Sequence, residues 1–233
     1  ISVAHTSTSY DDAVTGFEAG ARHMTHLYNA MPSLHHRKPG PIAAAAERDD
    51  ITAEIIADGI HIHPAMVRLA FNMFGHDRMV LISDTLRAVG LPDGVYDLGG
   101  QDVTFEGPAA TIDNGALAGM RCLTVAVKDM NIPIVKAVKA ATLNPARVIG
   151  IDEEYGHLAV GAYANVVLLD EETLEIKQVI CRGKANKYFS QLSSLNGHNF
   201  RLTVIGGTPM LTVTMTITKG VCFISWTPSS SEV

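Results

Sequence analysis

Along residues 1–90, short apolar runs alternate with stretches of helical period, the pattern of a parallel α/β fold. Ile1-Ser2-Val3-Ala4 predicts a strand that delivers His5 at its end. Ser9-Tyr10-Asp11-Asp12 predicts a helix start, with a carboxylate three places after the capping serine. Ala13, Val14, Phe17 and Ala21 then share one helical face. A second strand, near His23 to Leu27, brings up His26. A third, Ile51 to Ile56, runs into Ala57-Asp58-Gly59-Ile60-His61. Pro64 opens a helix that stops at Gly75, with Met66, Leu69, Ala70 and Met73 facing inward. The fourth strand, Met79 to Ile82, ends at Ser83-Asp84.

Beyond residue 90 the pattern changes. Val95 to Leu98 and Asp102 to Phe105, joined by Gly99-Gly100, predict a hairpin. Helices are expected after Gly119, from Pro133 (with Ile134, Val135 and Val138 inward) and from Asn144-Pro145 to Gly150. Ala164 to Asp170 and Ile176 to Cys181 read as two strands of a separate small β unit. Residues 192–233 carry only three charged side chains, Arg201, Lys219 and Glu232, and Thr212 to Ile217 alternates strictly, as a strand does. The expected organisation is an α/β domain over 1–152, β-strands over 153–190 and a threonine-rich β tail over 191–233.

Composition narrows the function classes. The net charge of −6 argues against nucleic acid or an anionic membrane surface as the main partner, because both require a basic face. With 47% apolar and 18% charged residues over 233 positions, the chain can bury a sizeable core. Cys122, Cys181 and Cys222 are odd in number and far apart, as expected of small core residues in a reducing, cytoplasmic compartment.

Four strands thus end in His5, His26, His61 and Asp84. In parallel α/β folds, ligands bind where the carboxyl ends of strands converge. A lone strand-end histidine is more often a hydrogen-bonded structural residue, but four titratable groups at four strand ends are hard to obtain by chance. Neutral imidazole is a common ligand of zinc and related ions, so His5 and His26, on adjacent strands, are candidate ligands of one divalent ion. Asp84 follows an apolar run, a costly place for an anion unless it is paired or working. It is either a proton-transfer group or a helix cap. His35-His36-Arg37-Lys38 is a cationic run in an acidic chain, suited to a phosphate through the planar fork of Arg37.

Thr25-His26-Leu27-Tyr28-Asn29-Ala30-Met31, Ala57-Asp58-Gly59-Ile60-His61 and Ile82-Ser83-Asp84 resemble the N-acetylglucosamine-6-phosphate deacetylases of the amidohydrolase superfamily. Ala116-Leu117-Ala118-Gly119 and Asn144-Pro145-Ala146-Arg147 fit the same pattern, and the resemblance runs over residues 1–187. It implies the C-terminal half of a TIM-type (β/α)8 metal-dependent hydrolase barrel, with strands of a small β-sandwich. His5 and His26 then match metal ligands, and Asp84 the catalytic acid/base. Asn29, Ala30 and Arg37 match sugar-phosphate contacts, Arg37 reaching toward a neighbouring subunit's site. Asp58, Gly59, Ile60 and His61, and Leu117, Ala118 and Gly119, match substrate-binding loops. The implied cofactor is a divalent metal ion, zinc first, with iron, manganese or cobalt as alternatives. The implied partner is a phosphorylated amino sugar, and the full-length assembly a homodimer.

The same resemblance puts a metal-ligating glutamate and a carbonyl-polarising histidine upstream of residue 1, so residues 1–233 alone are expected to be inactive. Met120 stands where the family has serine. Two other readings stand beside this one: a different amide hydrolase of the superfamily, and a non-catalytic remnant that binds metal.

Overall fold

In the computed structural model, described over residues 1–84, 94–98, 101–105, 115–185, 199–204, 211–218 and 221–228, each predicted change of period marks a real change of element. The order is β1 (Ser2–Val3), α1 (Tyr10–Glu18), β2 (His23–Met24), α2 (Gly40–Ala46), β3 (Thr52–Ile56), α3 (Pro64–Phe74) and β4 (Met79–Ile82). The strands form one parallel sheet in the order β1-β2-β3-β4, so neighbours in sequence are neighbours in space. A doubly wound sheet would reverse its order at a switch point; this one does not.

The register explains the division of the sheet into two faces. Met24 pairs with Ala53, Ala53 with Met79 and Ile55 with Leu81, and all five side chains are buried. Phe17, Ile42, Ala44, Ala45, Val67, Phe71 and Phe74 from the three connecting helices complete this apolar core. Ser2, His23, Thr52 and Glu54 hold the alternate positions, where successive side chains of a strand point to the opposite face.

Local chemistry sets the element ends. Ser9 Oγ accepts from the Asp12 N–H at 3.2 Å and donates to Asp12 Oδ2 at 2.7 Å, the predicted cap of α1. Such a cap contributes about 1 kcal/mol. Strand β2 is shorter than expected because the chain leaves the ladder after Met24, turns at His26, and returns when the Leu27 N–H reaches the Glu54 carbonyl at 2.8 Å.

Two helix faces differ from expectation. α3 buries Val67, Ala70, Phe71 and Phe74, not the face of Met66, Leu69 and Met73; both sets have helical spacing, and the one with two phenylalanines removes more apolar area from water. Leu69 is exposed. α5 (Ile134–Ala141) buries Ala137 and Ala140 and leaves Ile134 and Val135 exposed. There the small residues let the helix approach β4 closely, which bulky β-branched side chains would prevent.

β5 (Gly94–Leu98) and β6 (Gln101–Phe105) form the expected antiparallel hairpin, whose Gly99-Gly100 turn lies outside the described residues. α4 (Gly115–Lys128) begins five residues earlier than expected, so Leu117, Ala118 and Gly119 belong to a helix, not a loop. Ala116, Leu117 and Ala118 are strong helix formers and sustain its first turns. α6 spans Leu143–Val148.

The chain divides into two units, Ile1–Val148 and Ile149–Val233. The second contains β7 (Val166–Leu169), β8 (Ile176–Cys181) and β9 (Lys184–Ala185) in one antiparallel sheet. It also contains β10 (Asn199–Val204), β11 (Leu211–Thr218) and β12 (Val221–Pro228) in another, β11 covering the alternating threonine run. Cys122 is buried, as a small core residue would be, but Cys181 is exposed at the end of β8. Among the described residues no helix is long and apolar enough to cross a membrane.

Candidate metal and substrate site

The carboxyl ends of β1 and β2 bring His5 and His26 together, with ring centroids 4.7 Å apart and planes inclined by 52°. His5 is exposed and His26 is buried. The backbone bends sharply at both, with φ of 43° and 31°, and again at Asp84, with φ of 50°. His26 Nδ1 is buried and has no hydrogen-bond partner among the described residues. A buried polar nitrogen left in this state is costly, and coordination of a cation is one way to satisfy it. The donor set therefore fits a divalent metal as far as it goes. Among the described residues no group of three or more His, Cys, Asp or Glu side chains converges on one point, so these two histidines are a partial set.

Beneath His26 lies a charged group that the sequence reading passes over. Glu54 Oε1 is 2.9 Å from His23 Nε2, close enough for an ion pair though off the line of a hydrogen bond. Its Oε2 accepts from the His26 N–H at 3.4 Å. His23 Nδ1 meets Thr52 Oγ1 at 2.6 Å. Burial pushes the Glu54 carboxyl up, but His23 and the His26 N–H outweigh it and hold the group below its ordinary 4.5. The signal was available: a carboxylate inside the apolar run of residues 51–57.

The loop after β3 is built around Asp58. Its Oδ1 accepts from the N–H groups of Ile60 and His61, both at 2.9 Å, and its Oδ2 is 2.6 Å from His61 Nδ1. Gly59 has φ of 81°, a conformation that favours glycine. Burial raises the Asp58 carboxyl, yet the His61 and Ile60 N–H groups and the His61 ring hold it below its ordinary 3.8. Asp58, expected as a substrate contact, is buried, with both oxygens bonded within its own loop. It fixes the ring direction of the more exposed His61, and Ile60 is 58% exposed at the turn.

After His26 the chain closes a tight turn. The Asn29 N–H bonds the His26 carbonyl at 3.0 Å, and Asn29 Nδ2 donates to the His26 and Leu27 carbonyls at 3.3 and 3.4 Å. Ala30 is exposed with φ of 51°, so its N–H can be presented without a bulky side chain. Arg37 sits in an exposed turn closed by the Lys38 N–H to the His35 carbonyl at 3.1 Å. Asp84 is exposed at the end of β4, two strands from β2 at the same edge of the sheet. Leu117, Ala118 and Gly119 lie in the first turns of α4.

A parallel sheet in sequential order, with histidines paired at its strand ends, defines a parallel α/β scaffold with a candidate ligand site at the carboxyl ends of its strands. The chain belongs to the amidohydrolase family, whose model it matches over residues 1–219, farther than the motifs alone reach. It is 40% identical to N-acetylglucosamine-6-phosphate deacetylase of Bacillus subtilis over 187 residues, which cover 78% of this chain and 47% of that protein. It is 35% identical to N-acetylgalactosamine-6-phosphate deacetylase of Escherichia coli O157:H7 over 189 residues, 79% of this chain and 50% of that one. Among solved structures it is similar to N-acetyl-D-glucosamine-6-phosphate deacetylase of Mycobacterium smegmatis in complex with N-acetyl-D-glucosamine-6-phosphate. That match has a TM-score of 0.71 and 33% identity, over 79% of this chain and 50% of the other. The chain spans about half the length of the curated relatives it matches.

Proposed function

We propose that the protein carrying this chain is a metal-dependent amide hydrolase. It removes the acetyl group of N-acetylglucosamine 6-phosphate, giving glucosamine 6-phosphate and acetate. On this reading the parallel sheet is the C-terminal half of a (β/α)8 barrel, and β7 to β9 belong to a small β-sandwich. The observation that carries the proposal is the pairing of the His5 and His26 rings at adjacent strand ends, one with an unpartnered buried nitrogen. The relatives' names supply the substrate class.

His5 and His26 would hold a divalent ion, zinc before iron, manganese or cobalt, which when bound activates water and polarises the acetyl carbonyl. Asp84 is assigned the proton transfers. Its carboxylate oxygen takes a proton from the attacking water and delivers it to the departing amine nitrogen as the C–N bond breaks. Asn29, the Ala30 N–H and His61 hold the sugar-phosphate end, and Asp58 keeps the His61 ring in place. Leu117 to Gly119 border the sugar from the start of α4. Fixing the substrate at its phosphate makes attack effectively unimolecular. Arg37, on its exposed turn, extends toward the phosphate in a neighbouring subunit's site, in keeping with a homodimer.

A second substrate, N-acetylgalactosamine 6-phosphate, is favoured by the match to the Escherichia coli deacetylase; comparison of kcat/KM on the two sugar phosphates separates the readings. The test of the metal reading is bound metal per chain in the purified protein. His26→Ala is expected to lose most of it while remaining folded. Unchanged metal content would remove His26 from the site.

A further inference from the structure

A metal-binding histidine ordinarily has its second ring nitrogen fixed by a carboxylate or carbonyl, which sets the direction of the ring. His26 lacks such a bond among the described residues: its buried Nδ1 is the nitrogen left for the cation, and neither ring nitrogen is hydrogen-bonded to protein. Its ring must then be aimed by the backbone on which it stands, and that backbone is bent to φ of 31°. Glu54 grips this bend twice. Its carbonyl accepts from the Leu27 N–H at 2.8 Å, one residue past His26, and its carboxylate Oε2 accepts from the His26 N–H at 3.4 Å. The other carboxylate oxygen is tethered by His23 at 2.9 Å, and His23 is tethered by Thr52 at 2.6 Å. All three lie on β2 and β3, paired strands of the sheet next to the turn.

We propose that Glu54 is the positioning residue for His26: its carboxylate, braced by His23 and Thr52, holds the strand-end backbone that aims the His26 ring at its ligand. The proposal rests on the reading of His26 as a metal ligand. It explains why a charged side chain stands inside an apolar strand, where burial alone would exclude it. It also separates Glu54 from the groups that touch substrate, because both of its oxygens are turned toward protein atoms.

The test uses the full-length protein carrying this chain, with Zn2+ affinity measured by competition against a chelator and the visible absorption recorded after loading with Co2+. Glu54→Leu keeps the volume and removes the acceptor. It is expected to weaken Zn2+ binding by about tenfold or more, the scale of lost outer-sphere partners, and to change the Co2+ absorption. Glu54→Gln keeps an oxygen for the His26 N–H and is expected to stay within about threefold of wild type with an unaltered spectrum. Wild-type affinity and spectrum in Glu54→Leu, or equal losses in both variants, would overturn the proposal. If Glu54→Leu does not fold, His23→Asn carries the test by releasing the brace; weakened Zn2+ binding supports the role and unchanged binding overturns it. His26→Ala distinguishes the two levels of failure. Full metal content there defeats the metal reading and the positioning role with it, whereas metal lost in His26→Ala but kept in Glu54→Leu defeats the positioning role alone.

Discussion

His5, His26 and Asp84 share a backbone property that no sequence pattern displays: each ends its strand with positive φ. For a residue with a Cβ this conformation costs roughly 1–2 kcal/mol, and Tyr28 and Ala30 add two more cases in the same turn region. Strain of this kind persists where surrounding contacts impose it, and it clusters at functional sites. If Asp84 moves protons, Asp84→Asn should lower kcat by at least about a hundredfold while metal content and substrate affinity stay near wild type. Near-normal turnover would remove Asp84 from the proton transfers. Asp58 offers a separate check through pH. Its carboxyl titrates below 3.8 in the folded chain, so its stabilising effect is complete above that value and is lost as pH falls through the lowered pKa. The stability advantage of wild type over Asp58→Asn, read from urea melts, should therefore shrink once pH falls below 3.8. A difference independent of pH would mean that the charge does not matter.

At the scale of elements, the alternation of periods located every strand of the parallel sheet and the helices α1 and α3, but not α2, whose short Gly-Pro-Ile-Ala-Ala-Ala-Ala run carries no apolar/polar alternation. Which face a helix buries was less legible. In α3 two overlapping apolar stripes exist, and only the tertiary context chooses the one with Phe71 and Phe74. In α5 the choice of Ala137 and Ala140 over Ile134 and Val135 reflects close approach, not hydrophobicity. Leu117 to Gly119 were placed in a loop because their motif suggested a ligand contact, yet the helix propensity of Ala116, Leu117 and Ala118 extends α4 over them despite Gly119. Arg78 shows what pattern reading cannot reach. Just before β4, its guanidinium donates to six backbone carbonyls, those of Phe74, Met73, Ala45, Ala46, Arg48 and Ile51. These carbonyls lie at and after the C-terminal ends of α2 and α3, where intrahelical donors run out. Arg78→Met should destabilise the fold on the order of 3 kcal/mol, since several charge-assisted bonds are lost together. Arg78→Lys should recover only part of this, because a point charge cannot span the same carbonyls. A loss under 0.5 kcal/mol in either urea melt would show that water replaces the guanidinium.

For the whole molecule, the family and the order of its strands were legible from a few strand-end motifs. The polar column beneath them was not. His23, Thr52 and Glu54 make sense only once register sets them on one face, and a single sequence carries no register. The central claim is that these strand ends serve a metal-dependent deacetylation of a phosphorylated amino sugar. Its most direct test is acetate release by the full-length protein carrying this chain, on N-acetylglucosamine 6-phosphate and on unphosphorylated N-acetylglucosamine, before and after metal is stripped and restored. The expected result is rapid release from the phosphorylated sugar, little from the other, loss on stripping and recovery with Zn2+. Release that survives complete removal of metal, or equal release from both sugars, would contradict the account.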